Sequence, residues 1–295
     1  MTRAGPVLLT LLVASPLVAC GRTQALPERS ATSTPDATAP SASTASASPH
    51  DPFMPDVVEF QSGPLTLHGF LYRPAGPGPF PAMVFNHGSE QLPGPKTGQA
   101  LFYVNHGFAL FVPHRRGQGR SADAGTSINA LDGASPAFVD ALVTQSDDVM
   151  AAVSYVASLP SIDPKRVAVA GCSLGGIESL LAAERGTGIV GAIDFAGAAM
   201  TWAANATLRD RMKVAARNAH APVFFLQAEN DFDTTPSLVL SDEMKKAGKP
   251  VRVHVFPPNG TTHEDGHAFC DGGGHPPWGD EVIAFLSEAM GTAAR

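Results

Sequence analysis

The chain has 295 residues, 44% of them hydrophobic and 16% charged, a composition that excludes a wholly disordered polymer. Its formal net charge of −7 argues against a nucleic-acid partner, because phosphate binding needs a basic surface. Beyond the N-terminal segment about 240 residues remain, enough for one large domain around a buried sheet.

Residues 1–19 open with Met1-Thr2-Arg3 and run apolar from Val7 to Ala19. One cation ahead of an apolar stretch of 13 residues is the pattern of an export signal. The stretch is too short for a permanent helix across a hydrocarbon core of about 30 Å. It ends Leu17-Val18-Ala19-Cys20 and resembles the bacterial lipoprotein signal. That resemblance implies cleavage before Cys20, lipid on its thiol and a membrane anchor in the cell envelope. Residues 20–52 are rich in Ser, Thr, Ala and Pro and poor in large apolar groups, so they read as a tether with a mean span of roughly 30 Å. The folded domain is expected over 53–295.

Within that domain, residues 57–60 and 65–72 alternate as an opening hairpin. Short apolar runs follow at 82–85, 108–112, 167–170, 189–195, 223–226 and 251–256, most of them bounded by Gly or Pro. Such runs suit strands buried on both faces of a parallel sheet. Between them lie helix-length segments at 97–105, 137–158, 175–184, 236–247 and 278–289. Gly107 is placed to end the first, and Val139, Val143, Val149, Val153 and Val156 supply an apolar stripe to the second. Strands alternating with helices imply an α/β, doubly wound layer architecture. Residues 197–220 are expected to form a small cap.

Gly171-Cys172-Ser173-Leu174-Gly175-Gly176 matches Gly-x-Ser-x-Gly, directly after an apolar strand and before a helix. A sharp strand-to-helix turn lifts the serine hydroxyl out of the sheet, and glycines let the backbone pass closely. The hydroxyl then sits near a helix N-terminus, where free N–H groups favour developing negative charge. Ser173 is therefore the expected nucleophile.

A serine hydroxyl needs a base to take its proton. With the chain order Ser, acid, His, the base lies downstream, among His220, His254, His263, His267 and His275. His254 falls inside a strand and reads as a packing residue. His267, in a loop between the last strand and the last helix, is the expected base, with His263 and His275 behind it. Asp231, just past the run at 223–226, is the expected acid, with Asp233 and then Asp194 as alternatives. Asn86-His87-Gly88-Ser89 follows the run at 82–85, so the N–H groups of Ser89 and Leu174 are the expected oxyanion donors. His87 reads as structural.

These segments, with Arg116-Gly117-Gln118-Gly119-Arg120-Ser121, resemble the dienelactone hydrolase family and, more loosely, the hydrolase domain of prolyl oligopeptidases. The resemblance implies an α/β-hydrolase fold, no cofactor, and hydrolysis of a small-molecule ester or related acyl bond. Dienelactone hydrolase proper uses a Cys nucleophile where this chain has Ser173, so lactone specificity does not carry over. The chain has no room for an oligopeptidase propeller, which weighs against peptide substrates.

Two readings compete. His263-Glu264-Asp265-Gly266-His267 matches the zinc-protease pattern His-Glu-x-x-His, which needs a continuous helix. Pro257, Pro258 and Gly266 favour a loop there instead, so no metal is expected. A hydrolase fold that only binds would be expected to lose a member of the Ser, Asp, His set, and candidates for all three remain. Of the three cysteines, Cys172 adjoins Ser173 and Cys270 lies three residues past His267. In the expected fold these loops converge, and an oxidising envelope favours a Cys172–Cys270 disulfide.

Overall fold

The computed structural model describes residues 51–271 and 273–291. The expected leader over 1–19, the lipid-bearing Cys20 and the tether up to residue 50 lie outside the described residues. Strands β1 (Asp56–Ser62) and β2 (Leu65–Tyr72) form the hairpin, antiparallel from Asp56 opposite Leu71 to Ser62 opposite Leu65. At its turn Gly63 takes φ 56°, a conformation that glycine reaches without Cβ strain.

Six further strands follow: β3 (Phe80–Asn86), β4 (Ala109–His114), β5 (Ile162–Cys172), β6 (Ala192–Phe195), β7 (Val223–Ala228) and β8 (Val251–Phe256). They form one eight-stranded sheet in the order β1-β2-β4-β3-β5-β6-β7-β8. β2 runs antiparallel to β4, and every pairing from β4 to β8 is parallel. β4 continues through Pro113, because β3 pairs with it only as far as Phe111 and Pro113 faces Gly69 of β2.

Helices α1 (Thr97–Asn105), α2 (Pro136–Ala157), α3 (Leu174–Arg185), α4 (Ala206–Asn218), α5 (Thr235–Lys246), α6 (His263–His267) and α7 (Gly279–Ala289) connect them. The apolar side chains split into two cores. Phe111 belongs to the core that holds Val149, Leu180, Met212 and Leu240 from α2 to α5, whereas its neighbours Leu110 and Val112 belong to the one that holds Tyr103, Trp278 and Leu286 around α1 and α7. That alternation is the strand period of two, and full burial of each large apolar side chain contributes about 1.5–3 kcal/mol. Among the described residues no helix is long and apolar enough to cross a membrane.

Two expectations change. On α2 the stripe holds at Val139, Val149, Val153 and Val156, but Val143 is 37% exposed and Leu142 takes its place in the core. Much of the segment expected as a cap is α4, a flanking helix. Asn205 caps it by accepting from the Leu208 N–H at 2.9 Å, and Leu208, Met212, Ala215 and Ala216 bury one face against α3 and α5.

The chain goes from β3 outward to β4, then returns to β5 on the other side of β3. This reversal opens a crevice at the carboxyl ends of β3 and β5, where Asn86 pairs with Gly171. The loops after these two strands therefore lie side by side.

Candidate active site

Ser173 sits between β5 and α3 with φ 58° and ψ −116°. A non-glycine residue held there costs about 1–3 kcal/mol and persists only where its surroundings enforce it. The enforcement is visible. The Ser173 N–H donates to Phe195 O on β6 at 2.9 Å. A Cβ on Gly171 would strike the Gly175 carbonyl, and one on Gly175 would strike the carbonyl oxygen of Asn86. Gly176 passes equally close to the Asp194 carboxyl. The turn thus needs glycine on both sides of the serine, and it leaves Ser173 at the start of α3, whose first N–H groups have no acceptor within the helix.

Ser173, Ser89 and Leu174 line a cavity of about 310 Å³ with Ile128, Leu131, Phe138 and Met200. A Cβ built on Gly88 would lie 3.5 Å from Ser173 Cβ, so the 86–90 loop runs directly beside the elbow. His87 is fully buried behind that loop, and burial, then the Arg115 guanidinium, holds its imidazole well below the usual range. It is a structural group that does not line the cavity, with Nδ1 3.0 Å from Gly88 O and Nε2 accepting from the Arg115 N–H at 3.4 Å.

His267 ends α6, and its Nδ1–H donates to Asp231 Oδ1 at 2.8 Å. The Asp231 side chain is buried and also accepts from Gln227 Nε2 at 2.8 Å and from the Phe232 N–H at 2.6 Å. This bond fixes the tautomer and leaves Nε2 as the acceptor nitrogen. Nε2 is buried and has no hydrogen-bond partner among the described residues.

The segment carrying His267 differs from the expected loop. Thr262 Oγ1 accepts from the Asp265 N–H at 3.0 Å while Asp265 Oδ2 accepts from the Thr262 N–H at 3.1 Å, a capping box that starts a single helical turn. Bonds from the Thr261 N–H and then the Thr262 N–H hold the Asp265 carboxyl below its usual range. Gly266 does not break this turn. A Cβ there would come within 2.6 Å of the Asn230 carbonyl, so glycine lets the turn rest on the loop after β7.

Both histidines of the His-Glu-x-x-His pattern spend Nδ1 on that loop, His263 on Asn230 O at 3.0 Å and His267 on Asp231. Among the described residues no group of three or more His, Cys, Asp or Glu is placed to hold a metal ion.

The other candidates have other partners. Asp233 Oδ1 accepts from the Thr235 N–H at 2.8 Å at the start of α5. Asp194 is buried, accepts from the Gly197 N–H at 2.7 Å, and is pushed up to about 7 by burial. His254 lies within β8 and stacks on Phe256 as expected of a packing residue, while its 41% exposed side chain also bonds Glu281 at 2.8 Å. His220 and His275 are exposed.

Cys172 and Cys270 form a disulfide with Cα atoms 6.0 Å apart. It joins the residue before Ser173 to the turn that follows His267. In the Arg116–Ser121 segment, Arg116 grips Asp148 through Nε at 2.9 Å and Nη2 at 2.6 Å, and Ser62 Oγ donates to the same carboxylate at 2.7 Å. Sequence reading passed over Arg115 and Asn129, both of which bond the 87–89 backbone; their only signal was proximity to that motif and to a turn.

An eight-stranded, mostly parallel sheet in this order, with serine on a strained strand-to-helix elbow, defines the α/β-hydrolase fold. More particularly, the chain belongs to the dienelactone hydrolase family, whose model matches residues 67–275.

A curated relative, the quorum-quenching protein AidA of Acinetobacter baumannii, is 33% identical over 129 residues, covering 42% of this chain and 38% of its own. The Mycobacterium tuberculosis puromycin-hydrolyzing peptidase superposes with a TM-score of 0.64 at 17% identity, over 84% of this chain and 41% of its own. Pyrococcus horikoshii acylaminoacyl peptidase gives 0.60 at 18%, over 79% and 41%. A 2,6-dihydroxy-pseudo-oxynicotine hydrolase gives 0.56 at 18%, over 82% and 70%. The chain thus spans well under half the length of the curated relative and of both peptidases, and the structural likenesses speak for the fold alone.

Proposed function

We propose that this chain cleaves an ester or related acyl bond of a small neutral substrate through an acyl-enzyme on Ser173. The observation that carries the reading is the state of His267. Its Nδ1–H is committed to buried Asp231, its Nε2 is buried and unpartnered, and its turn is bonded through Cys270 to the neighbour of Ser173.

In this reaction Ser173 Oγ attacks the carbonyl carbon and its proton passes to His267 Nε2. The N–H groups of Ser89 and Leu174 stabilise the resulting oxyanion, each contributing about 2.7–4 kcal/mol in the transition state. The C–O bond to the leaving group breaks as His267 returns the proton to it. Water then repeats the sequence and frees the acid. Asp231 holds the imidazole in the required tautomer and stabilises the imidazolium. The apolar lining from Ile128, Leu131, Phe138 and Met200 favours an uncharged acyl group.

Ser173→Ala is expected to abolish turnover of short p-nitrophenyl esters and labelling by a fluorophosphonate, with circular dichroism unchanged. Undiminished turnover in this variant refutes the assignment. The wild-type panel adds a lactone, a half-ester bearing a free carboxylate and an aminoacyl p-nitroanilide. Faster cleavage of the anilide than of the esters would favour a peptidase, and a wild type that neither turns over nor labels would favour a binding protein.

The same reading keeps residues 1–19 as an export signal, Cys20 as the lipid-bearing residue and 20–52 as a tether to the catalytic domain over 53–295. Fatty-acid labelling that persisted in Cys20→Ser would remove the anchor from it.

A further inference from the structure

Arg115 lies at 0% exposure directly beneath the 87–89 loop. Its Nη1 donates to His87 O at 2.7 Å and its Nη2 to Gly88 O at 2.8 Å, so one planar fork holds two successive carbonyls. Nε donates to Gln145 Oε1 on α2 at 3.2 Å, which fixes the plane of the fork. From the other side, Asn129 Nδ2 donates to Ser89 O at 2.6 Å. The Ser89 N–H itself has no acceptor among the described residues.

A trans peptide unit is flat, with its C=O and N–H pointing opposite ways. Gly78–Pro79 is the one cis bond among the described residues, so the Gly88–Ser89 unit is trans. Pinning Gly88 O down onto the guanidinium therefore turns the Ser89 N–H away from Arg115. Ser89 lines the cavity together with Leu174 and Ser173, whereas Arg115 is not among the residues that line it. A cation on the carbonyl also polarises the amide and strengthens its N–H as a donor.

We propose that Arg115 is a positioning residue that aims the Ser89 N–H as an oxyanion donor and touches no substrate itself. The inference rests on the acyl-transfer reading above and goes beyond it. It separates two jobs within one loop: Ser89 meets the reacting oxygen, and Arg115 sets its direction through the shared peptide plane. Lysine keeps the charge but lacks the rigid planar fork that holds the two carbonyls in one fixed geometry.

The test uses Arg115→Lys with ester turnover expressed per active site counted by burst titration. Loss of a whole oxyanion donor costs about 10²–10³ in kcat, and a misaimed one is expected to cost roughly 30–300-fold. KM is expected to stay within about twofold and the pH profile of kcat/KM to keep its shape, because His267 and Asp231 are untouched. Affinity for a trifluoromethyl ketone, which forms a tetrahedral oxyanion on the serine, is expected to fall by the same factor as kcat/KM.

Titrated kcat within about threefold of wild type, or a fall in kcat with ketone affinity intact, overturns the proposal. If Arg115→Lys does not fold, Gln145→Met decides, since it frees the Nε end of the fork and the long 3.4 Å bond from Gln145 Nε2 to Arg116 O but leaves both carbonyl bonds of Arg115 in place. A smaller loss shared equally by kcat/KM and ketone affinity supports the proposal, and unchanged values refute it. Wild-type turnover that survives Ser173→Ala would instead sink the acyl-transfer reading, so the two failures are distinguishable.

Discussion

The disulfide gives the sharpest handle on how the site is held together. Cys172 and Cys270 close a loop across 98 residues of chain that includes β6 to β8 and α3 to α6. Opening such a loop returns chain entropy to the unfolded state worth about 4.7 kcal/mol at 25 °C in the loop-closure model. The double variant Cys172→Ala, Cys270→Ala is therefore expected to unfold roughly 10–19 °C below wild type, at about 2–4 °C per kcal/mol for a domain of this size. Its urea midpoint is expected to fall by roughly 1.5 M for a slope near 3 kcal/mol per M. Activity should fall too, by up to about 10²-fold in kcat, because the turn carrying His267 loses its tie to the elbow. Both quantities are read on the same oxidised protein, by urea titration of intrinsic fluorescence and by turnover of p-nitrophenyl butyrate. Midpoints that agree within about 0.3 M would show that the bridge constrains nothing. Two free thiols in denatured, unreduced wild-type domain would show that it does not form.

Asp231→Asn keeps the shape of the side chain but removes the charge that selects the His267 tautomer, so kcat is expected to fall about 10⁴-fold with the far-ultraviolet spectrum intact; a loss under tenfold would remove Asp231 from its role. Glu178 on α3 is fully buried, neither carboxyl oxygen has a hydrogen-bond partner among the described residues, and burial pushes it up to about 8 against an ordinary 4.5. Since the folded group binds its proton more tightly than the unfolded one, its contribution is fully present below about pH 4.5 and is lost as pH rises through about 8. Glu178→Gln removes that loss, so its melting temperature is expected to decline less than the wild type's between about pH 5 and pH 9, at about 1.4 kcal/mol per pH unit where the two states differ by a full proton. Asp194, also raised by burial, keeps part of the slope in both proteins. Parallel melting curves for the two proteins across that range would contradict the reasoning.

The strand–serine–helix elbow was legible in the sequence because every requirement it meets is local. The glycines at 171 and 175 are spaced by the turn itself, and the apolar run before them and the helix after them are continuous in the chain. The strands buried on both faces were legible for the same reason, as unbroken apolar runs between Gly and Pro. His267 and Asp231 could be singled out by chain order and loop position, but their 2.8 Å bond exists only because β7 and α6 are brought together by the fold. The turn of α6 was misjudged because Gly266 reads as a helix breaker in isolation, whereas in the structure it is the space that Asn230 requires. α4 was missed as a helix because its apolar face makes sense only against α3 and α5, which the sequence does not show side by side. Arg115 carries no signal in the sequence beyond its place next to the Arg116–Ser121 segment. Nothing in its neighbours along the chain says that a cation will be buried under a loop 27 residues earlier and will grip two of its carbonyls. The amino-acid sequence by itself determined which segments become strands and helices and which serine is lifted out of the sheet, since those follow from period, size and backbone freedom over a few residues. Which side chains then meet across the crevice was decided only by the tertiary structure, because distance between remote residues depends on strand order and not on any local preference.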